Sequence, residues 1–215
     1  MGYNGLTGLG VHWAALCGIV IAAYLVGSLS FAVIVSRAFR LPDPHSYGSG
    51  NPGATNVLRT GRKAAAALTL LGDAGKGYFA VAIVQAAVVR YGAPPEAVPA
   101  AALSVFIGHL WPVFFRFKGG KGVATAAGIL LALNAWLGAA VLATWLAVVL
   151  VFRISSLAAV VSAALAPLWC VLILAADQMA GAVLVISALL VYRHQANIRR
   201  LVSGEEGRIG GSRGA

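Results

Sequence analysis

An all-α, polytopic integral membrane bundle of about seven transmembrane helices, N-terminus outside and C-terminus cytoplasmic, is the fold this sequence predicts. Three observations predict it. Hydrophobic residues fill 60% of the 215 positions and charged ones only 10%, where a soluble domain carries about 25% charged residues. Mean hydropathy is +0.87, and several stretches are apolar all round, as helices surrounded by lipid must be. The 16 Lys and Arg residues gather in short loops between those stretches, the bias that holds loops on the cytoplasmic side.

The apolar stretches run at about 11–36, 64–90, 99–115, 123–152, 155–175 and 178–193, and a crossing takes about 20 residues. Arg37, Arg40, Arg59, Arg62 and Lys63 flank the first loop, which places it inside and the N-terminus outside. The sparse loop at 91–98 is then external, and Arg116, Lys118 and Lys121 return to the cytoplasm. Parity decides the long fourth stretch. Crossing once, it would leave Arg153, Arg193, Arg199, Arg200, Arg208 and Arg213 outside. Divided into two short helices that turn between Asn134 and Gly138, it puts all of them inside and Asp177 outside. All basic residues except Arg90 and the intramembrane Lys76 then flank one face. The chain reads as a single domain, 1–215, with a flexible glycine-rich tail from Gly207 to Ala215.

Composition also excludes. The net charge of +10 comes with no nucleic-acid module, and topology explains it, so no nucleic-acid partner is expected. Cys17 and Cys170 lie in apolar spans without metal-ligand spacing and read as small core residues. No basic residue precedes Arg37, so no cleaved signal peptide is expected. Neither Lys121 nor Lys76 is followed by Ser or Thr as in a Walker A loop. None of His12, His45, His109 and His194 has an aspartate five residues on. Any chemistry is therefore expected to run without a metal, a cofactor or a His–Asp dyad. Asp73 and Lys76 stand three apart within the second stretch, a spacing that suits a mutual ion pair. His109 could enter the polar site or bond to a neighbouring helix.

Three polar segments fall on the predicted cytoplasmic face. The first is Gly48-Ser49-Gly50-Asn51-Pro52-Gly53-Ala54-Thr55-Asn56, followed by Arg59. The second is Lys118-Gly119-Gly120-Lys121-Gly122-Val123-Ala124-Thr125, and the third runs from Arg193 through His194, Gln195 and Asn197 to Arg199, Arg200 and Leu201. Each glycine-rich piece is expected to open a helix. Glycine lets backbone N–H groups turn toward an anion, and a helix N-terminus adds favourable partial charge. Ser49, Thr55 and Asn56 add hydroxyl and amide groups, and Arg59 and Lys121 add cations. A helix continuing through the third segment would show His194 and Asn197 on one face. Taken singly, each segment also has a plain reading as a turn, a topology determinant or, for Arg199 and Arg200, a headgroup-facing pair. Three together suit an oxyanion such as phosphate.

These residues resemble a known family. Gly27-Ser28, the run from Tyr47 to Arg59, the run from Phe117 to Thr125, and His194 to Leu201 with Gly204 and Glu206 resemble PlsY, the acyl-phosphate-dependent glycerol-3-phosphate acyltransferases of bacteria. The likeness extends from about Tyr24 to Glu206. It implies transfer of a fatty acyl group from acyl phosphate to the sn-1 hydroxyl of glycerol 3-phosphate, giving lysophosphatidic acid and phosphate. It also implies a multi-pass inner-membrane enzyme whose active site faces the cytoplasm, with the lipid bilayer as surroundings and no obligate protein partner. Ser49, Lys121, His194 and Asn197 are the implied catalytic residues. Ser49, Gly50, Asn51, Gly53, Thr55, Asn56, Arg59, Lys118, Gly119, Gly120, Lys121, Arg200 and Glu206 are the implied substrate- and phosphate-binding set. Departures occur: Asp43-Pro44-His45 stands where the family often has Asp-x-Arg, Gln195 replaces an arginine, and Glu205 a threonine. His45, Gln195 and Glu205 are therefore left outside the set.

Two points stay open at this level. His194 could act as general base, its ordinary pKa near ~6.5 being suitable, or a substrate phosphate oxygen could accept the proton. The alternative function is a small transporter of an anionic metabolite, although no internal repeat of the transporter kind is evident.

Overall fold

The computed structural model describes residues 4–175 and 178–209. Among the described residues every regular element is helical: α1 (Asn4–Gly27), α2 (Phe31–Ala38), α3 (Ala54–Leu58), α4 (Lys63–Tyr91), α5 (Ala97–Leu110), α6 (Val123–Leu133), α7 (Ala135–Phe152), α8 (Ser155–Leu174), α9 (Gln178–Arg193) and α10 (Gln195–Val202), with a 3-10 turn at Val113–Phe115. The helices α4, α7, α8 and the stretch Ala97–Phe115 are long and apolar enough to cross a membrane. The bent pairs α1–α2 and α9–α10 pass the same test jointly. At 11 residues, α6 is about 16 Å long, shorter than the hydrocarbon layer. Asp177, expected outside, and the tail beyond Ile209 lie outside the described residues.

Two compact units make up the chain, Met1–Leu133 and Asn134–Ala215. In the first, α4 packs along α6 and α5, and α1 along α5. Glycines set these crossings. A Cβ on Gly27 would strike the Val105 carbonyl and one on Gly108 the Tyr24 carbonyl, so α1 and α5 meet backbone to backbone. Gly128 of α6 sits against the Ala74 carbonyl and Gly77 of α4 against the Thr125 carbonyl. Lipid provides little hydrophobic drive between helices, so such close approach is the main source of cohesion.

The first apolar stretch, expected as one span, breaks between α1 and α2 with a bend of 41°. Side chains and neighbouring segments occupy the polar groups near the break. Ser28 Oγ donates to the Tyr24 carbonyl (2.9 Å) and accepts from Val113 N–H (3.3 Å), and Tyr24 OH donates to the Trp111 carbonyl (2.8 Å). Lys76 Nζ donates to the Leu29 carbonyl at 2.6 Å. The same ammonium is 2.9 Å from Asp73 Oδ1, as the three-residue spacing predicts. His109 Nδ1 approaches that carboxylate at 3.6 Å, so the ring faces a neighbouring helix. A buried carboxylate between two basic groups is how a charged pair is tolerated within a membrane.

The second unit begins at Asn134, within the predicted turn. Its side chain accepts from the N–H groups of Trp136 (2.9 Å) and Leu137 (3.1 Å), capping α7. Within this unit α8 packs on both α7 and α9, and Trp169 Nε1 of α8 donates to Thr144 Oγ1 of α7 at 3.1 Å. The helix does not continue straight through the third polar segment: α9 and α10 meet at 60° about His194. One cysteine departs from expectation. Cys170 is buried, but Cys17 is exposed on α1, because that helix presents most of this stretch outward instead of to a core.

Candidate active site

Both glycine-rich segments lead directly into helices, α3 and α6, as expected. The first loop is built around Asn56, which is almost fully buried. Its Nδ2 donates to the carbonyls of Pro44 (2.9 Å) and Tyr47 (3.2 Å), and its Oδ1 accepts from Ser49 N–H (3.0 Å) and Ser49 Oγ (3.3 Å). The amide thereby ties together the loop that precedes its own helix. Gly48 is required there. Its φ of +60° is left-handed, and a Cβ would collide with Asn56 Oδ1 and press on the Arg59 stem. That contact also sets Arg59 beside Gly48 and Ser49. Ser49, Gly50, Thr55 and Arg59 are exposed, while Asn51 and Gly53 are half-buried. Asn56 is thus a builder of the loop, whereas the exposed groups are the ones able to meet a ligand.

In the second loop Lys118 is exposed, Lys121 is half-buried, and Gly119 and Gly120 are buried. Gly120 N–H donates to the His109 carbonyl at 3.2 Å. A Cβ on Gly119 would hit that same carbonyl, and one on Gly120 would hit the His109 ring. The first loop backs onto the second: Pro52 O lies 3.2 Å from where a Gly120 Cβ would be. His45 Nε2 is 3.0 Å from the Lys118 carbonyl, while its Nδ1 is 2.7 Å from Asp43 Oδ1. Two segments about 70 residues apart in sequence are therefore joined, the first holding Ser49 and Arg59 and the second Lys118 and Lys121. The Asp43 carboxyl is held below the ordinary carboxylate range, first by the His45 backbone N–H, then against a burial penalty by the His45 ring and the Arg37 charge.

The second unit holds the third segment. His194 and Asn197 are both buried, with His194 at the bend and Asn197 in α10. His194 Nδ1 donates to the Leu190 carbonyl at 2.8 Å. That bond places the proton on Nδ1 and makes Nε2 the basic nitrogen of the neutral ring. Glu206 gathers the rest: Oε1 accepts from Ser156 Oγ (2.7 Å) and Asn197 Nδ2, and Oε2 accepts from Arg200 Nε (2.7 Å). Burial pushes the Glu206 carboxyl up, but the Ser156, Asn197 and Arg200 hydrogen bonds and the Arg200 charge outweigh it and hold the group below 4.5. Glu206, grouped at the sequence level with the phosphate binders, bonds in the structure to Asn197, Arg200 and Ser156.

Sequence reasoning passed over three participants. His45 is left outside the expected set and Asp43 is not assigned a role, although an Asp-Pro-His run just before a glycine-rich loop is itself a turn signal. Ser156 carries no motif. The orienting partner of His194 is a main-chain carbonyl, which no search for a carboxylate could find.

Comparison with known proteins agrees with this picture. The sequence model of the glycerol-3-phosphate acyltransferase family matches residues 17–204. Glycerol-3-phosphate acyltransferase of Thiobacillus denitrificans is 64% identical over 192 residues, covering 89% of this chain and 96% of that protein. The protein of the same name from Ralstonia nicotianae is 60% identical over 190 residues, covering 88% and 92%. Among solved structures, the glycerol 3-phosphate form of PlsY, described as an integral membrane glycerol 3-phosphate acyltransferase, is similar with a TM-score of 0.84 at 36% identity over 91% of this chain and 96% of that one. Its lysophosphatidic acid form matches at 0.82 over 91% and 95%. Fold and relatives define the class, an integral membrane acyltransferase. Within it, the chain belongs to the glycerol-3-phosphate acyltransferase family.

Proposed function

We propose that the chain transfers a fatty acyl group from acyl phosphate to the sn-1 hydroxyl of glycerol 3-phosphate, yielding lysophosphatidic acid and inorganic phosphate. The observation that carries this reading is the junction of the two glycine-rich loops that hold Ser49, Arg59 and Lys121, which supports a common role for them in binding an anion. The PlsY structures similar to this chain are a glycerol 3-phosphate form and a lysophosphatidic acid form, which supports the same acceptor and product here. One family model runs across both units, which supports treating 1–215 as one catalytic domain. Seven crossings, with the N-terminus outside and the basic loops at the cytoplasmic face of a bacterial inner membrane, remain the arrangement that charge parity favours.

Chemically the donor is already activated. The acceptor hydroxyl oxygen attacks the acyl carbonyl carbon, a new ester C–O bond forms, and the bond to phosphate breaks with its electron pair leaving on the phosphate. Positioning and charge stabilisation are then the main tasks, each worth several kcal/mol. Arg59 and Lys121 balance phosphate charge, with the Ser49 hydroxyl beside them and Thr55 and Lys118 at the edge, while Gly50, Asn51, Gly53, Gly119 and Gly120 shape the loops that carry these groups, Gly50, Gly53 and Gly120 through N–H bonds to the Tyr47, Asn51 and His109 carbonyls. In the second unit His194 and Asn197 address the acceptor, with Arg200 and Glu206 holding Asn197 in place. The hydroxyl proton goes to His194 Nε2 or to a phosphate oxygen, and no metal takes part.

Purified protein in lipid, given palmitoyl phosphate with and without glycerol 3-phosphate, tests the reading. Phosphate release that requires glycerol 3-phosphate, resists chelators and disappears in Lys121→Ala supports it. Release absent, with glycerol 3-phosphate instead entering sealed vesicles, would overturn it in favour of transport. His194→Gln distinguishes the proton acceptors: near-normal turnover assigns the proton to the substrate phosphate, and a loss of about a hundredfold or more assigns it to the ring.

A further inference from the structure

The three hydrogen bonds of His45, to Asp43 and to Lys118, identify its state. Nδ1 faces Asp43 Oδ1 at 2.7 Å and Nε2 faces the Lys118 carbonyl at 3.0 Å, and the backbone N–H of His45 also donates to Asp43 Oδ1 at 2.9 Å. A carbonyl can only accept, and so can an ionised carboxylate. Both ring contacts are hydrogen bonds only if both ring nitrogens carry protons, that is, if His45 is an imidazolium. The neutral ring would set one bare nitrogen lone pair against an oxygen.

The surroundings favour that charge. Asp43 is the acidic group facing the ring from its own loop. Arg37, from α2, acts on Asp43 and helps keep the carboxylate ionised. From the second loop the ring meets Lys118 through its carbonyl, and the Lys118 side chain is exposed to solvent. Only Asp43 and Lys118 are hydrogen-bonded to the ring among the described residues. The ring itself is about one-quarter exposed, so it can exchange protons with water.

We propose that His45 is a positioning residue for acyl transfer: as an imidazolium it clasps the first glycine-rich loop, through Asp43, to the second, through the Lys118 carbonyl, and thereby sets the spacing of the phosphate-binding surface. This rests on the reading that those loops bind phosphate. A neutral ring could make only one of the two bonds. His45 takes no part in bond making, so its loss acts on substrate binding before turnover.

The full-length protein in lipid nanodiscs provides the test. With four histidines in the chain, 15N-histidine spectra of wild type and His45→Gln identify the His45 signals, which are expected at neutral pH as a ring protonated on both nitrogens. In steady-state assays, His45→Ala is expected to raise KM for glycerol 3-phosphate or for palmitoyl phosphate by about tenfold, with kcat within about twofold, the size expected for losing hydrogen bonds to a charged group. His45→Arg, whose cation keeps both donors, should restore KM at neutral pH. A merely structural loop residue would not give a KM effect that the arginine cation rescues. Thermal unfolding of each variant shows that it is folded. A singly protonated His45 ring, or a wild-type KM in folded His45→Ala while Lys121→Ala is inactive, would overturn the clasp and leave the acyltransferase reading intact. Wild type that releases no phosphate from palmitoyl phosphate would instead remove the reading beneath it.

Discussion

The two polar regions of this protein solve the same problem, holding polar side chains in place, by different means. In the first unit the polar side chains of the glycine-rich loop, Ser49, Thr55 and Arg59, are exposed. One buried amide, Asn56, holds them through bonds to Pro44, Tyr47 and Ser49, all within 12 residues. In the second unit the corresponding side chains are buried or half-buried. One carboxylate, Glu206, holds them through bonds to Asn197, Arg200 and Ser156, the last 50 residues away. The lesson concerns tolerance. A neutral organiser with both ends of its amide bonded has no replacement of equal shape and donor pattern. A charged organiser can lose its charge and keep some of its geometry.

Substituting the two organisers would break or sharpen that contrast. Asn56→Ala should have the largest effect, a loss in kcat/KM of about a hundredfold, since it strips two donors and two acceptors from a buried position, each unsatisfied partner costing about 1–3 kcal/mol. Steady-state kinetics in lipid checks it, and near-wild-type activity would show that the loop stands without Asn56. Glu206→Gln should cost less, about tenfold in kcat/KM, because the amide oxygen can still accept from Asn197 while the Arg200 ion pair is lost. Its pH signature is separate. The folded Glu206 carboxyl lies below 4.5, so its stabilising contribution is complete above that value and disappears as pH falls through the folded pKa. Thermal midpoints of wild type and Glu206→Gln should therefore differ most above 4.5 and converge in acid. The smallest catalytic effect belongs to Gly128→Ala, outside both regions. Its Cβ would meet the Ala74 carbonyl, which should lower stability by about 1–3 kcal/mol, with KM unchanged.

Much of the fold was legible in the residues, and the reasons are local. Apolar stretches announced the helices because a membrane helix must satisfy its backbone internally and face lipid. Asn134 ended one helix and capped the next because its short side chain reaches N–H groups two and three residues on. The Asp73–Lys76 pair followed from helical spacing. The break at Ser28–Ser30 was not legible, since it depends on Trp111, Val113 and Lys76 supplying partners from distant segments. Nor was the bend at His194, which the composition of α9 and α10 does not mark.

The sequence by itself therefore determined the solvent in which this protein folds, the helical class and the glycine-rich segments able to turn their N–H groups toward an anion. All three follow from composition or from contacts within a few residues. Tertiary structure decided what each polar side chain does: that Asn56 and Glu206 organise, that a Leu190 carbonyl fixes the His194 tautomer, and that His45 bridges to Lys118. The physical reason is directional. Hydrogen bonds across 50 or 73 residues depend on where the chain brings two groups together, and no periodicity or spacing in the sequence encodes that distance.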